Sequence, residues 1–249
     1  MTIERVWVGP PRTDRPELVF LHEGLGSITL WRDTPEAIAR ATGCAALVYA
    51  RRGYGRSSPV ELPRPLTYMH DEASVLRELL AEEGVRAPIV IGHSDGASIA
   101  IIAAGGGLAV TALVLIAPHV FVEDISVRSI ALAAEAYRST DLRERLAKHH
   151  ADVDNAFWGW NRVWLDPAFR AWNLEQFLPH IVVPMLVVQG SADEYGTIAQ
   201  VDAITAQARG PVATLVVPGA GHSPQRTHPA EVHARIAEFV REAIRRRDR

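Results

Sequence analysis

The stretch Pro88-Ile89-Val90-Ile91-Gly92-His93-Ser94-Asp95-Gly96 is followed by a run of small and aliphatic residues at positions 97–104. The apolar residues before the glycine predict a buried strand, and the run after it predicts a closely packed helix. Glycines on both sides of Ser94 remove the Cβ clashes that a sharp strand-to-helix turn would create, so the serine hydroxyl is left exposed above the sheet edge. We therefore interpret Ser94 as a nucleophile in preference to a residue of a purely structural turn.

Around this corner the chain alternates short apolar runs with segments of helical spacing. The predicted strands lie at residues 6–8, 18–21, 45–49, 89–91, 112–116, 185–188 and 213–217, and the predicted helices at 31–41, 67–83, 97–104, 197–208 and from about 229 onward. Most of these strands are continuous apolar runs, which is typical of a parallel sheet covered on both faces by helices. The sequence predicts an α/β fold with a mostly parallel sheet.

The alternation stops between residues 119 and 181, where we find helical spacing without a convincing strand. Four of the six tryptophans lie there, namely Trp158, Trp160, Trp164 and Trp172. A segment so rich in aromatic residues is not a disordered linker. We predict a helical cap at 119–181 on a core domain formed by 1–118 and 182–249, with most of the aromatic rings packed inside the cap and one or two facing the site.

Composition narrows the class of partner. The chain has 249 residues, 48% of them hydrophobic, and a formal net charge of −3, which gives no electrostatic reason to expect nucleic acid. Its single cysteine, Cys44, is interpreted as a buried apolar residue. The first residues lack a signal-peptide pattern and no apolar run is long enough to span a membrane, so a cytoplasmic location is expected. The expected partner is a small-molecule substrate, and the sequence does not indicate an oligomeric state.

Three residues suited to nucleophilic catalysis lie at the ends of predicted strands. They are Ser94, Asp193 and His222, in that chain order. A serine hydroxyl is a weak nucleophile at neutral pH and needs a base, which in turn needs an orienting acid. The histidine pair 149–150 lacks companion ligands at metal-binding spacing, and the glycine-rich loops do not form a dinucleotide fingerprint. No metal and no cofactor are expected.

At this point the sequence resembles the α/β-hydrolase fold family over nearly its whole length. The matching segments, in order, are 22–26, 52–57, 92–96, 190–193 and 219–222. The helical insertion and the Ser94-Asp95-Gly96 corner further resemble the valacyclovirase (biphenyl-hydrolase-like) group and the related meta-cleavage-product hydrolases. The chain departs from the family pattern where Glu23 replaces a glycine and where Ala50 replaces an aspartate. The family implies eight strands, so the first hairpin is expected to be shortened.

The resemblance also implies roles for individual residues. Ser94 would attack an acyl carbon, His222 would accept and return its proton, and Asp193 would orient the imidazole. The N–H groups of Gly24 and Asp95 would form the oxyanion hole. The implied activity is hydrolysis of a carboxylic ester through an acyl-enzyme intermediate.

The expected substrate is small to medium in size and partly aromatic. Trp158, Trp160 and Trp164 are candidates to position its aromatic group, and Glu23, either exposed to substrate or paired with an arginine such as Arg52, is a candidate to disfavour anionic acyl groups. One alternative is a carbon–carbon bond hydrolase whose substrate carboxylate is held by Arg162 or Arg170. The other is a non-catalytic α/β-hydrolase that binds a ligand.

Overall fold

The computed structural model describes residues 2–248 and contains a seven-stranded sheet within that range. The strands are β1 (Arg5–Val8), β2 (Leu18–Leu21), β3 (Ala46–Tyr49), β4 (Ile89–His93), β5 (Ala112–Ile116), β6 (Met185–Gly190) and β7 (Val212–Val217). Their spatial order is β1-β3-β2-β4-β5-β6-β7. β1 pairs antiparallel with β3, and every other neighbouring pair is parallel. The α/β prediction is confirmed, and the first hairpin of the family is reduced to the single strand β1.

Both faces of the five inner strands, β2 to β6, are buried, which explains their continuous apolar runs. Alternate side chains of each inner strand point to opposite faces, so that Val90 lies in one core and Ile91 in the other. One core is formed with α2 (Tyr68–Glu82), α3 (Asp95–Gly105) and the helical insertion. The other is formed with α1 (Thr34–Thr42) and α9 (Pro229–Arg247).

The segment between β5 and β6 is helical. It contains α4 (Asp124–Ser139), α5 (Leu142–Ala147), α6 (Val153–Trp164) and the 3₁₀ helices Pro167–Ala171 and Glu175–His180. A bridge between Phe121 and Asn173 joins its two ends, and the N–H of Ala151 donates to the carbonyl of Gly55 in the core. The insertion is therefore anchored to the sheet side at its base and at the turn before α6.

The remaining helices position the last loops of the sheet. They are α7 (Ala199–Gln207) and the short α8 (Pro224–Thr227), which directly precedes α9. The predicted strands overlap the observed ones to within two residues at each end. The first helix begins later than expected, at Thr34, because a 3₁₀ turn at Thr29–Trp31 precedes it and Pro35 occupies its first turn. None of the helices within residues 2–248 combines the length and apolarity needed to cross a membrane.

Candidate active site

Ser94 lies at the turn between β4 and α3 in a backbone conformation that is rare for a residue with a side chain, with φ 53° and ψ −119°. Its N–H donates to the carbonyl of Ile116 over 2.9 Å, which holds the turn against β5. A Cβ at Gly96 would lie 2.0 Å from the carbonyl oxygen of Leu21, and one at Gly92 would lie 2.4 Å from the carbonyl oxygen of Gly96. Both glycines are therefore required by close backbone packing around the strained serine.

His222 and Asp193 form a hydrogen-bonded pair at the same edge of the sheet. The two carboxylate oxygens of Asp193 each lie 2.9 Å from Nδ1 of His222. The carboxylate also accepts from the N–H of Tyr195 and from the side-chain amide of Gln189, both at 2.8 Å. Burial opposes ionisation of Asp193, but the interaction with His222 and the hydrogen bond from the N–H of Tyr195 outweigh it and hold the pKa of this carboxyl below its usual value. Because Asp193 is an ionised acceptor, Nδ1 carries the proton and Nε2 is free to accept one.

The neighbouring acid, Glu194, contacts a different part of the histidine. Its Oε2 atom accepts the backbone N–H of His222 over 3.1 Å, and its side chain is exposed. Glu194 thus fixes the loop that carries His222, whereas Asp193 contacts the imidazole ring. This geometry separates the two acids that are adjacent in sequence.

Ser94 and His222 open onto one cavity of about 180 Å³ between the sheet edge and the insertion. Its wall is formed by Glu23, Gly24, Leu25, Ser94, Asp95, His119, Ile130, Trp160, Trp164, Glu194, Tyr195, His222 and Ser223. The insertion contributes mainly apolar side chains, and the core contributes most of the polar ones. Within the described residues, Ser94 Oγ and His222 are not hydrogen-bonded to each other in this state.

Two backbone N–H groups beside Ser94 belong to residues that line this cavity. They belong to Gly24, in the loop after β2, and to Asp95, the first residue of α3. Neither N–H donates to an acceptor within residues 2–248. Buried N–H groups are rarely left without a partner, so these two groups indicate a place for an acceptor supplied by a ligand. The dipole of α3 adds positive potential at the same point.

The side chain of Asp95 is turned away from solvent into a buried hydrogen-bonded cluster. Its Oδ2 atom accepts from the hydroxyl of Tyr68 over 2.6 Å, and its Oδ1 atom lies 3.3 Å from the indole nitrogen of Trp164. The guanidinium of Arg51 lies 3.6 Å from Oδ2. The negative charge of Asp95 is therefore compensated within the protein, and α6 is tied through Trp164 to the residue after Ser94.

Glu23 lies on the cavity wall, and its partners differ from the one considered from sequence. Arg52 pairs with Glu72 at 2.9 Å, whereas the carboxylate of Glu23 lies 3.4 Å from Nδ1 of His93 and 3.9 Å from Arg226. Arg52 is unavailable because it pairs with the fully buried carboxylate of Glu72, which Arg64 also contacts over 2.9 Å. Burial acts against ionisation of Glu23, but its interaction with the nearby ring of His93 dominates and lowers its pKa to about 2. Glu23 thus carries a negative charge at neutral pH.

Of the three tryptophans proposed to contact substrate, Trp160 and Trp164 line the cavity and Trp158 does not. The indole of Trp160 is so close to Gly24 that a Cβ there would lie 2.2 Å from Nε1. Trp158 packs edge-on against Tyr137 and Phe157 and lies beneath two arginine side chains. Residues four apart share a helix face, while a residue two positions before Trp160 points elsewhere. The placement of Trp158 corrects its assignment to the substrate site.

His119 and Tyr195 line the cavity but were not among the sequence-based candidates. The ring of His119 lies 5.6 Å from that of His222, and the ring of Tyr195 lies 4.7 Å from it. Burial, with smaller contributions from nearby groups, lowers the pKa of His119 to about 3, so this imidazole is neutral at neutral pH. Their positions in the sequence could have identified them, because His119 follows the end of β5 and Tyr195 lies two residues after Asp193.

The two arginines considered as a carboxylate clamp lie away from this cavity. Arg170 is exposed and pairs with Asp124. Arg162 is also exposed and lies 5.3 Å from the ring centre of Trp158. Within residues 2–248, no group of three or more His, Cys, Asp or Glu side chains is arranged to hold a metal ion.

Comparison with known structures finds the same fold in proteins of several hydrolytic activities. A proline iminopeptidase from Mycobacterium smegmatis superposes with a TM-score of 0.75 and 19% identity, covering 97% of this chain and 95% of that one. A thermophilic esterase from Thermogutta terrifontis gives 0.73 and 18%, covering 97% and 94%. An enol-lactonase from Burkholderia xenovorans LB400 gives 0.73 and 18%, covering 96% of each chain. At these identities the likeness shows the fold alone.

Sequence comparison places the chain more directly. No curated protein is similar enough in sequence to be matched. The model of the alpha/beta hydrolase family, in contrast, matches residues 18–235, which include every strand from β2 to β7 and all the residues that converge around Ser94. This chain belongs to the alpha/beta hydrolase family.

Proposed function

We propose that this protein is a serine hydrolase that cleaves a carboxylic ester with a small acyl group through an acyl-enzyme intermediate. The observation that carries the proposal is the convergence of three features on one cavity: a strained serine, a histidine–aspartate pair and two unpartnered backbone N–H groups. An acyl-transfer site needs these parts. The structural likeness to an esterase and a lactonase is consistent with this chemistry.

In the proposed reaction, Ser94 Oγ attacks the ester carbonyl carbon while Nε2 of His222 accepts the hydroxyl proton. The resulting imidazolium is stabilised by the Asp193 carboxylate at Nδ1. Collapse of the tetrahedral intermediate breaks the carbon–oxygen bond, and His222 returns the proton to the departing alcohol. Water then attacks the acyl-enzyme by the same route, which releases the acid and restores the serine. We expect the hydrogen bond between Ser94 and His222 to form when substrate binds, because such contacts are often long or poorly aligned in free enzymes.

The N–H groups of Gly24 and Asp95 are placed to hold the negative oxygen of the tetrahedral intermediate. Both lie beside Ser94 without a protein acceptor. A preorganised donor of this kind contributes about 3 kcal/mol to stabilising the transition state. The neutral ring of His119 and the apolar faces of Trp160 and Trp164 enclose the reacting group and limit the access of water.

The volume of the cavity supports a small acyl group. At about 180 Å³ it is smaller than typical ligand sites, which range from roughly 300 to 1,000 Å³. An aryl leaving group would therefore extend along the apolar wall of the insertion, or the insertion would move to admit it. Trp160 and Trp164 are the aromatic side chains best placed to contact such a group.

Carbon–carbon bond hydrolysis is the main alternative, because it can use the same serine, histidine and aspartate. The helical insertion and the Ser94-Asp95-Gly96 corner resemble both the valacyclovirase group and the meta-cleavage-product hydrolases. A meta-cleavage substrate carries a carboxylate that needs a cation, yet Arg162 and Arg170 are engaged elsewhere. The fully ionised Glu23 on the wall also opposes an anionic substrate. These placements favour ester cleavage.

The proposal is tested by labelling with a fluorophosphonate and locating the adduct by peptide mass spectrometry. We expect a single adduct on Ser94 that is absent in Ser94→Ala. A panel of p-nitrophenyl esters, aryl esters, lactones, thioesters and a meta-cleavage dienoate then defines the substrate class. Failure to label Ser94 would favour a non-catalytic ligand-binding protein, and fastest turnover of the dienoate would favour the carbon–carbon hydrolase.

A further inference from the structure

Arg51 is a buried cation that the proposed reaction does not use. Its side chain is fully buried at the end of β3, next to the loop that carries Gly24. Burial acts against its charge, but the nearby groups Tyr54, Asp95 and Glu72 outweigh it and raise the pKa of Arg51, so the guanidinium stays protonated. Burying a charge is costly unless it is paired, so this position needs an explanation.

The first partner of Arg51 is the peptide group between Glu23 and Gly24. Nη2 of Arg51 donates to the carbonyl of Glu23 over 2.8 Å. The same oxygen lies 2.7 Å from Nδ1 of His22. Nε2 of His22 accepts the backbone N–H of Arg51 over 2.9 Å, so the proton of the neutral ring is on Nδ1, which donates to the carbonyl of Glu23. The N–H of Gly26 is a third donor, at 3.0 Å.

These three donors fix the direction of the adjoining N–H. In a trans peptide the C=O and the N–H of one group point in opposite directions, and the bond between Glu23 and Gly24 is trans. Holding the carbonyl of Glu23 against Arg51 and His22 therefore turns the N–H of Gly24 towards Ser94. A cation at the oxygen also draws electron density from the peptide and makes its N–H a stronger donor.

The second partner of Arg51 is Asp95, whose backbone N–H is the second donor beside Ser94. The same Nη2 atom of Arg51 lies 3.6 Å from Oδ2 of Asp95. One guanidinium nitrogen thus contacts the carbonyl oxygen of one donor peptide and the side chain of the residue that supplies the other donor. The guanidinium of Arg51 also packs over the ring of Tyr54, with its central carbon 4.6 Å from the ring centre.

We propose that Arg51 is a positioning residue that sets the direction and spacing of the two oxyanion-binding N–H groups. The inference rests on the proposed serine-hydrolase function for its kinetic consequence, whereas its structural consequence is independent of activity. Arg51 acts through Gly24 and Asp95 and does not touch the substrate.

The test compares Arg51→Met, which keeps the length and apolar bulk of the side chain, with Arg51→Lys, which keeps the charge. The double variant Arg51→Met/Asp95→Asn removes both charges and guards against unfolding caused by an unpaired carboxylate. Arg52→Met is the matched control, because Arg52 is the next residue in the chain and pairs with Glu72 away from the cavity, where Arg64 still pairs with Glu72 in the variant. Circular dichroism and thermal melting establish the folded fraction of each variant.

With p-nitrophenyl acetate, we expect both Arg51→Met variants to lose about 10- to 100-fold in kcat, with KM within about threefold of wild type, since a misdirected donor weakens only the transition state. Arg51→Lys should recover part of the loss, and Arg52→Met should resemble wild type. Crystal structures of the Arg51→Met variants should show the peptide between Glu23 and Gly24 rotated, with its N–H no longer facing Ser94.

A double variant that is folded, retains kcat within about twofold of Arg52→Met and keeps the Gly24 N–H facing Ser94 would overturn the role of Arg51. Failure of the proposed function has a different signature: wild-type protein that neither labels with fluorophosphonate nor hydrolyses esters. In that case the orientation of the Gly24 peptide in the variant structures still decides the inference.

Discussion

The carboxyl edge of the sheet and the helical insertion supply the two walls of one cavity, but they place their side chains by different rules. At the sheet edge, Ser94, Asp193 and His222 each follow a strand, so their meeting is set by the parallel order of β4, β6 and β7. In the insertion, Trp160 and Trp164 reach the cavity because they share one face of α6. Strand ends converge by topology, whereas helix faces depend on how the helix docks.

The two walls should therefore respond differently to substitution. Changes at the sheet edge should remove the chemistry and leave substrate binding largely intact. Changes in the insertion should alter which substrates bind and leave the chemistry of a small ester nearly unchanged.

The largest expected effect is at the sheet edge, where Ser94→Ala and His222→Ala should each lower kcat by about 10⁴-fold or more. The double variant should cost little beyond either single change, because the two residues act as one unit in proton transfer. Steady-state kinetics on p-nitrophenyl acetate measure all three. Losses that add in the double variant would contradict the shared mechanism.

The second expected effect separates the two adjacent acids. Asp193→Asn should lower kcat by about 10⁴-fold, because an amide can hold His222 in the wrong tautomer. Glu194→Gln keeps an acceptor for the backbone N–H of His222 and should cost less than about tenfold. Parallel kcat measurements on both variants provide the comparison. A greater loss in Glu194→Gln would show that the acid has been misassigned.

The same contrast explains how far the sequence predicts this molecule. Apolar runs and glycine spacing located the strands and the Ser94 corner, because backbone sterics allow few alternatives there. Trp158 was misplaced because aromatic content does not reveal the rotation of a helix. The partners of Glu23 and Asp95 were missed because both pairings join residues far apart in the chain, and only the packed structure shows which buried charges compensate each other.

The third prediction concerns the insertion wall and uses two tryptophans of one helix. Trp160→Ala should lower kcat/KM for an aryl ester by about tenfold, since the lost apolar burial corresponds to about 1–2 kcal/mol. Trp158→Ala, the matched control, should leave kcat/KM nearly unchanged and lower thermal stability instead, because its ring packs against Tyr137 and Phe157. Arg162→Ala should also be nearly neutral for activity. If Trp158→Ala and Trp160→Ala lower kcat/KM for the aryl ester equally, the helix face on which a tryptophan lies does not determine whether its ring contacts the substrate.

The smallest expected effect lies where the two walls meet, at Glu23. Its ionised carboxylate lies on the cavity wall, while the ring of His93 and the guanidinium of Arg226 lie beside it on the protein side. An anionic acyl group a few ångströms away would be repelled by roughly 1–2 kcal/mol, so wild type should prefer a neutral or cationic acyl ester over a matched anionic one by about tenfold or more. Glu23→Gln keeps the size of the side chain and removes the charge, and should reduce this preference several-fold by improving turnover of the anionic substrate alone.

The ratio of kcat/KM for matched neutral, cationic and anionic acyl esters measures the effect, with Glu194→Gln as the control at the rim of the same cavity. An unchanged ratio in Glu23→Gln would mean that the charge of Glu23 does not act on the acyl group, and that acyl selectivity arises from the shape of the insertion wall and not from charge at the sheet edge.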